Sequence, residues 1–374
     1  MHLPPPDAEF PTLVAWLHAR GGHVGPLLLA GEGAGRELYA TEEIERGQLV
    51  LSVPLAACIG SDRARETSAG AAVHAGWRGP APEAVGLAAA VAELRASDHP
   101  EWRPYLRMLP KRVEGRPVGL TGADRRACEG TLVGALLGDL EARHRAEWSW
   151  LSDASGLDLE GDAEAWSELR ALVSSRQYQL HPYEGTALVP VADLFNHSRS
   201  PDVDWSFDRD RGRFEVRARR PASAGVSLRT SYGGKSNARL LVHYGFTLAE
   251  NADDEVLLDL GQLGVICLGF PRWGTDLAHL RRGLGIEGGT PAARRSGWRR
   301  LERALLARRE ALPSVPADHP TRLHLERVVG GERRVIDAWL TRCEKGLRQV
   351  VEPGAAPRRR ARLRPAPARQ RSAT

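Results

Sequence analysis

Between Pro82 and Gln177 the chain reads as helix, and on both sides of that stretch it reads as strand. Before it, "GQLVLSVPL" gives two short strand-like pieces. After it come "ALVPVADLF", "DVDWSFD" and "GRFEVRARR", with the charged "DRDRGR" as the turn of a hairpin. Inside the stretch, "PEAVGLAAAVAELRAS" and "ADRRACEGTLVGALLGDLEARHRAEWSWL" keep the 3.6-residue period, and "DAEAWSELRALVSSR" starts on a capping Asp162 and runs to Arg176. Short strands on both sides of a helical insert predict one β-rich domain split in sequence, and the helical text that follows predicts a separate α domain.

The ends of the chain fit that plan. "FPTLVAWLHARGG" reads as a short amphipathic helix stopped by glycine. "PAARRSGWRRLERALLARREAL" is a basic amphipathic helix whose charge run reads as a solvated face. "TRLHLERVVGGERRVIDAWLTRCEKGLRQVVE" reads as helix interrupted at Gly330 and Gly331. From Pro353 on, Pro, Ala and Arg dominate, and such text has too little apolar surface to form a core.

Charge narrows the possible partners. The net charge of +5 includes seven arginines after residue 357, and removing them leaves −2 for residues 1–357. The body is near neutral, so nucleic acid is an expected partner only through the Arg-rich tail. No apolar run reaches the ~18 residues that span a bilayer, and "MHLPPPDAEF" lacks the form of a signal peptide. The cysteines, Cys58, Cys128, Cys267 and Cys343, are too scattered for a zinc or disulfide framework. These features predict a monomeric protein with reduced thiols, in the cytoplasm or, in a eukaryote, the nucleus.

No phosphate loop, H-E-x-x-H zinc site or G-x-S-x-G elbow is present. What stands out is polar text against apolar text. "VPVADLFNHS" carries Asp193 in an apolar run and then breaks into Asn196 and His197. A buried carboxylate needs partners, whereas an Asn-His pair alone is most simply a turn. "TSYGGKSNARLLVHYGF" carries Tyr232-Gly233 and Tyr244-Gly245, and "SSRQYQ" carries Arg176 at a helix end. Taken singly, these are a core tyrosine, another core tyrosine and a solvated arginine.

Taken in order, the segments resemble the SET-domain protein methyltransferases, in the branch of the Rubisco large-subunit lysine methyltransferase and the actin-histidine methyltransferase. "FPTLVAWLHARGG" resembles the opening helix, "GAGRELYATEEIERGQLVLSVP" the first strands, and "PEWRPYLRMLP" a W-x-P-Y-x-x-x-L-P signature of the insert. "SSRQY", "LVPVADLFNHS" and "SYGGKSNARLLVHYGF" follow. The motifs cover roughly residues 10–250.

The resemblance implies an α+β protein: a SET fold of small curved β-sheets with a pseudoknot, a helical insert and a C-terminal all-α lobe. Its parts would be 10–81 and 176–249 for the two halves of the SET domain, 82–175 for the insert, 250–352 for a substrate-recognition lobe and 353–374 for a basic tail. It implies S-adenosylmethionine as cofactor and no metal. Asp193, Leu194, Phe195, Asn196 and His197 would line the cofactor pocket, with Arg176 near the cofactor's carboxylate. Tyr244, Gly245 and Phe246 would flank the adenine, with Gly35 and Arg36 on the opposite wall. Tyr232 matches the family's active-site tyrosine. The reaction implied is methyl transfer to a lysine of another protein, with histidine as the alternative target and a non-catalytic binding module as the alternative role. A lysine titrates near ~10.4 and must become neutral first, which a dry aromatic channel promotes. Tyr105, Trp205 and Phe207 are the further candidates for that channel's wall.

Overall fold

The computed structural model describes residues 3–153, 161–181, 185–271 and 278–350. The tail expected at 353–374 lies outside them. By its contacts the chain falls into two units, one of residues 1–256 with 312–332, the other of 257–311 with the chain from Arg333 on.

The first unit is the split β domain. Its largest sheet runs in the order His23–Val24, Leu49–Pro54, Arg213–Ala218, Val203–Asp208, all antiparallel. Leu49–Pro54 is central, and its Val50, Leu51 and Val53 are fully buried. The last two strands are the expected hairpin, with Gly212 at φ +59° in its turn. A three-stranded sheet follows the order Ile59–Gly60, Gly185–Leu188, Gln177–His181. In both sheets a strand from before the insert pairs with one from after it, at Leu51 with Val216 and at Ile59 with Leu188. The halves therefore complete each other, as short strands must to satisfy their backbones.

The insert is helical as expected, and its last helix, Ala163–Arg176, starts on Asp162, whose carboxylate accepts from the backbone N–H of Glu164 and Ala165. That cap sets the phase that delivers Arg176 to the strands. Helix also begins earlier than the apolar period indicates, at Ser61–Arg65 and Ser68–Gly76. The second of these is capped by Thr67, whose hydroxyl accepts from the Gly70 N–H at 3.0 Å. Gly70 packs so tightly that a Cβ would lie 2.0 Å from the Ala64 carbonyl. Close contact and a cap, not periodicity, hold this segment.

Two expectations are corrected. "ALVPVADLF" is not one strand. Strand ends at Leu188, Val191 turns through φ +70°, and Ala192–Leu194 forms a single 3-10 turn before the two-residue strand Asn196–His197. A positive φ at a β-branched residue is rare, and here it swings Asp193 inward. Nor do Gly330 and Gly331 break their helix, which runs from Arg322 to Gln349. A Cβ on Gly331 would lie 2.1 Å from the Asp254 carboxylate, which is itself buried and accepts from the Asn237 N–H. The glycine makes room for that contact.

Residues 312–332 group with the first unit because their polar side chains are used there. The Leu132 N–H donates to the Glu332 carboxylate at 3.0 Å, and Arg327 donates to the Thr247 carbonyl at 3.1 Å. The lobe expected at 250–352 is not all-α: the second unit holds the hairpin of Glu255–Asp259 with Val265–Gly269, all but its first two residues, beside the basic helix Pro291–Glu310. That helix buries Trp298, Leu301 and Leu305 and exposes Arg299 and Arg303. Among the described residues no helix is long and apolar enough to cross a membrane. Cys58, Cys128 and Cys343 are buried thiols, and Cys267 is exposed.

Candidate active site

The two-residue strands Asn196–His197 and Arg229–Thr230 pair in parallel. This pairing brings the Asp193–His197 segment against the Tyr232–Phe246 segment, although 35 residues separate His197 from Tyr232. The Tyr232 N–H donates to His197 Nδ1 at 3.0 Å, and the Tyr232 hydroxyl donates to the Phe195 carbonyl at 2.9 Å. Asn196 Nδ2 donates to the Arg36 carbonyl at 2.9 Å, tying the first hairpin to the same place. Around this junction lies a cavity of about 750 Å3, within the range of small-molecule and cofactor sites.

One wall is aromatic. Tyr232 and Tyr244 stack with ring centroids 4.8 Å apart, His197 lies 5.2 Å from Tyr232, and Phe246 lies 6.0 Å from His197. Tyr244 closes the helix Asn237–Tyr244, and Gly245 ends it at φ +78°. Only glycine suits that place: a Cβ there would lie 1.8 Å from the Glu114 carbonyl, and one on Gly115 would lie 2.3 Å from the Gly245 carbonyl. A loop of the insert thus crosses directly over Tyr244 to Phe246.

The other wall is a buried polar knot. The Asp193 side chain is fully enclosed, and its Oδ2 accepts from the Tyr105 hydroxyl at 3.1 Å and from Arg176 Nη1 at 3.4 Å. Arg176 Nη1 also donates to the Asp193 carbonyl at 2.8 Å. Asp193 Oδ1 and Arg176 Nε are buried with no hydrogen-bond partner among the described residues.

Burial governs the protonation of these groups. It raises the Asp193 carboxyl above its ordinary range, and Arg176 opposes that rise. It raises the Tyr232 phenol well above its ordinary value and pushes Tyr244 up to about 12. His197 is lowered by burial, then by Arg199 and Lys235. Its Nδ1 already accepts a hydrogen bond, so the ring is neutral with its proton on Nε2. At neutral pH the wall therefore offers neutral phenols and a neutral imidazole.

Arg36, Arg176, Asp193, Leu194, Asn196, His197, Tyr232, Tyr244, Gly245 and Phe246 line the cavity. Five other candidates stand elsewhere. Gly35 lies just off the wall, in the turn before Arg36, with open space around it. Phe195 is buried in the core and contributes only its carbonyl. Tyr105, expected in a substrate channel, is buried behind the wall as the partner of Asp193. Trp205 and Phe207 belong to the main sheet: Trp205 stacks on Phe214 at 5.2 Å, with Tyr178 edge-on at 5.3 Å, and both residues pack on the hydrophobic core. Strand alternation puts both on one face, and that face is the core.

Several wall residues escaped the sequence reading, among them Asp7, Met108, Glu114 and Arg229. Arg36 explains two of them. Its guanidinium donates to the Asp7 carboxylate at 3.3 Å and to the Met108 carbonyl at 3.2 Å, so the N-terminal segment and the insert meet at its tip. Met108 lies within the "PEWRPYLRMLP" signature, which was the available signal.

Small sheets joined by a short parallel pair, with a ligand-sized cavity at that junction, define an α+β domain. Residues 35–233 match the family model of the SET domain. That is more than half of the 374 residues, and the chain belongs to the SET-domain family. It is 26% identical over 273 residues to SET domain-containing protein 4 of Homo sapiens, covering 65% of this chain and 59% of that protein. It is also 26% identical over 273 residues to the actin-histidine N-methyltransferase of Gallus gallus, covering 68% and 45%. The chain thus spans about half the length of the curated relatives it matches. In fold it is similar to the structure of Rubisco LSMT bound to AdoMet, with a TM-score of 0.73 at 15% identity over 92% of this chain and 93% of that one. The SET domain of LSMT bound to lysine and AdoHcy gives 0.72 at 15%, over 91% and 92%.

Proposed function

We propose that this protein is an S-adenosylmethionine-dependent methyltransferase that modifies a lysine side chain of another protein. The observation that carries the reading is the meeting of Asn196-His197 with Tyr232 to Phe246 around one ligand-sized cavity in a chain of the SET family.

The residues fit the cofactor. Asp193 Oδ1 and Arg176 Nε are buried polar atoms still open to a partner, as an amino-acid moiety with both charges would supply. The aromatic wall suits an adenine and a sulfonium, since aromatic faces attract cations. When bound, S-adenosylmethionine supplies an electrophilic methyl carbon on a neutral leaving group, so no acid is required. Arg176, Asn196 and His197 would hold it, with Tyr244 and Phe246 packed against its ring.

Tyr232 then has a defined task. Its proton is committed to the Phe195 carbonyl, and burial keeps it a phenol. It cannot take the lysine's proton near neutral pH, but its oxygen keeps lone pairs with which to accept from the incoming amine and weakly from methyl C–H groups. Alignment of the nitrogen with the methyl carbon is its contribution. The lysine proton leaves to solvent as the amine enters the dry aromatic wall.

Incubation with methyl-labelled S-adenosylmethionine and a lysate tests the reading. Label on a protein band, and much less with Tyr232→Phe, is expected. Failure to bind the cofactor by calorimetry refutes it, and binding without transfer to any lysate points to a binding module.

One observation favours a second target. With Tyr232 held as a phenol and His197 Nδ1 occupied, neither is a free base for deprotonating a lysine. An imidazole titrates near ~6.5 and is largely neutral at pH 7 without help. Amino-acid analysis of the labelled product separates methyl-lysine from methyl-histidine. Either reading implies a protein substrate.

A further inference from the structure

The chain has only three lysines, Lys111, Lys235 and Lys345. Lys235 follows Tyr232 by three residues, and its ammonium stands 6.0 Å from the centroid of the Tyr244 ring. That ring stacks on Tyr232, and both tyrosines line the cavity. The two residues before Lys235 are Gly233 and Gly234, so no side chain of the loop stands between it and Tyr232. A Cβ on Gly233 would lie 3.8 Å from the Lys235 nitrogen, which shows how closely the arm follows the bare loop. The side chain is half-buried. Burial, and then the charge of Arg239, holds its ammonium below the ordinary lysine range, which enlarges the neutral, nucleophilic fraction at physiological pH.

We propose that Lys235 is a site of self-methylation, rotating on its four-carbon stem from the Tyr244 ring to the methyl donor. The inference rests on the methyl-transfer reading above. The Nζ lone pair forms the new N–C bond as the S–C pair returns to sulfur. S-adenosylhomocysteine leaves neutral, and the proton shed by Lys235 beforehand goes to solvent. The product is still a cation, and methylated ammonium groups suit an aromatic face such as that of Tyr244.

The purified full chain is incubated with methyl-labelled S-adenosylmethionine and digested with trypsin. A methylated Lys235 resists cleavage, so the expected product is the peptide 230–239 carrying one or more methyl mass increments. Lys235→Arg is expected to lose at least about tenfold of the incorporated label, while Lys111→Arg with Lys345→Arg keeps it. A readout independent of turnover is competitive acetylation of the chain across pH without cofactor, where Lys235 should titrate below the ordinary lysine range. Label on Lys111 or Lys345 instead, or an ordinary titration of Lys235, overturns the proposal. If the cofactor binds and a lysate protein is labelled while Lys235 stays unmodified, self-methylation alone falls. If no cofactor binds, the methyl-transfer reading falls with it.

Discussion

The two walls of the cavity are held by opposite means. The aromatic wall of His197, Tyr232, Tyr244 and Phe246 is an arrangement of neutral rings fixed by stacking and by two hydrogen bonds of Tyr232. The polar wall is a buried ion pair, Asp193 with Arg176, closed from behind by Tyr105. Neutral rings tolerate the loss of one atom. A buried pair does not, because removing one partner strands the charge of the other. The first wall should therefore fail in chemistry and the second in folding.

The largest effect is expected on the polar wall. Arg176→Ala leaves the enclosed Asp193 carboxylate with only the Tyr105 hydroxyl, and breaking a buried pair costs about 3–5 kcal/mol. Chemical denaturation should show that loss, and calorimetry should show no cofactor binding. A variant of unchanged stability would mean that the pair is not the polar wall's support. Tyr232→Phe comes next and should act in the other way. It removes the donor to Phe195 and the oxygen proposed to orient the acceptor, so on that proposal kcat should fall about 100-fold with cofactor affinity nearly kept. A drop confined to affinity would move Tyr232 from chemistry to binding.

A smaller effect tests the charge itself. Burial holds the Asp193 carboxyl above its ordinary range, so the folded state binds its proton more tightly than the unfolded state. The stability contributed by that group is fully present below the unfolded carboxylate range and is lost as pH rises through the folded value. Asp193→Asn removes the titration, since asparagine stays neutral. The stability of the wild type relative to Asp193→Asn should therefore decline as pH rises through that window. A rise would show that Arg176 outweighs burial at this site.

The two walls also differ in how far sequence revealed them. The aromatic wall lies in two short segments whose Asn-His and Tyr-Gly pairs read singly as a turn and core tyrosines, and only the order of the motifs, through the family resemblance, marks them as a site. The polar wall joins Tyr105, Arg176 and Asp193 across 88 residues between its ends. Nothing local to Tyr105 says that its hydroxyl meets a carboxylate, so it reads as a channel residue. The same limit applies to the glycines. Gly245 at a helix end is readable as a stop, but Gly115 is needed only because it crosses Gly245, and Gly331 only because Asp254 lies against it. The strand–insert–strand order was legible because it depends on period and turn chemistry. The turn at Val191 was not, because a positive φ at valine goes against its local preference.

Trp205 supplies the smallest expected effect on the cavity, and it tests the boundary of the aromatic wall. It was a candidate for the substrate channel, yet it stacks on Phe214 at 5.2 Å, and its edge contact is with Tyr178. Tyr178 in turn donates to the Ala192 carbonyl at 2.8 Å, one residue before Asp193. Trp205→Leu should thus cost stability, about 2 kcal/mol for an aromatic side chain cut down in a core. Tyr178 and the 3-10 turn stand between it and the cavity, so cofactor affinity should stay within about twofold of wild type, as expected for sites that share no partner. The two quantities are read on the same samples, stability by denaturant titration and affinity by calorimetry. Lost affinity at retained stability would return Trp205 to the cavity wall and extend the aromatic lining through Tyr178 into the main sheet.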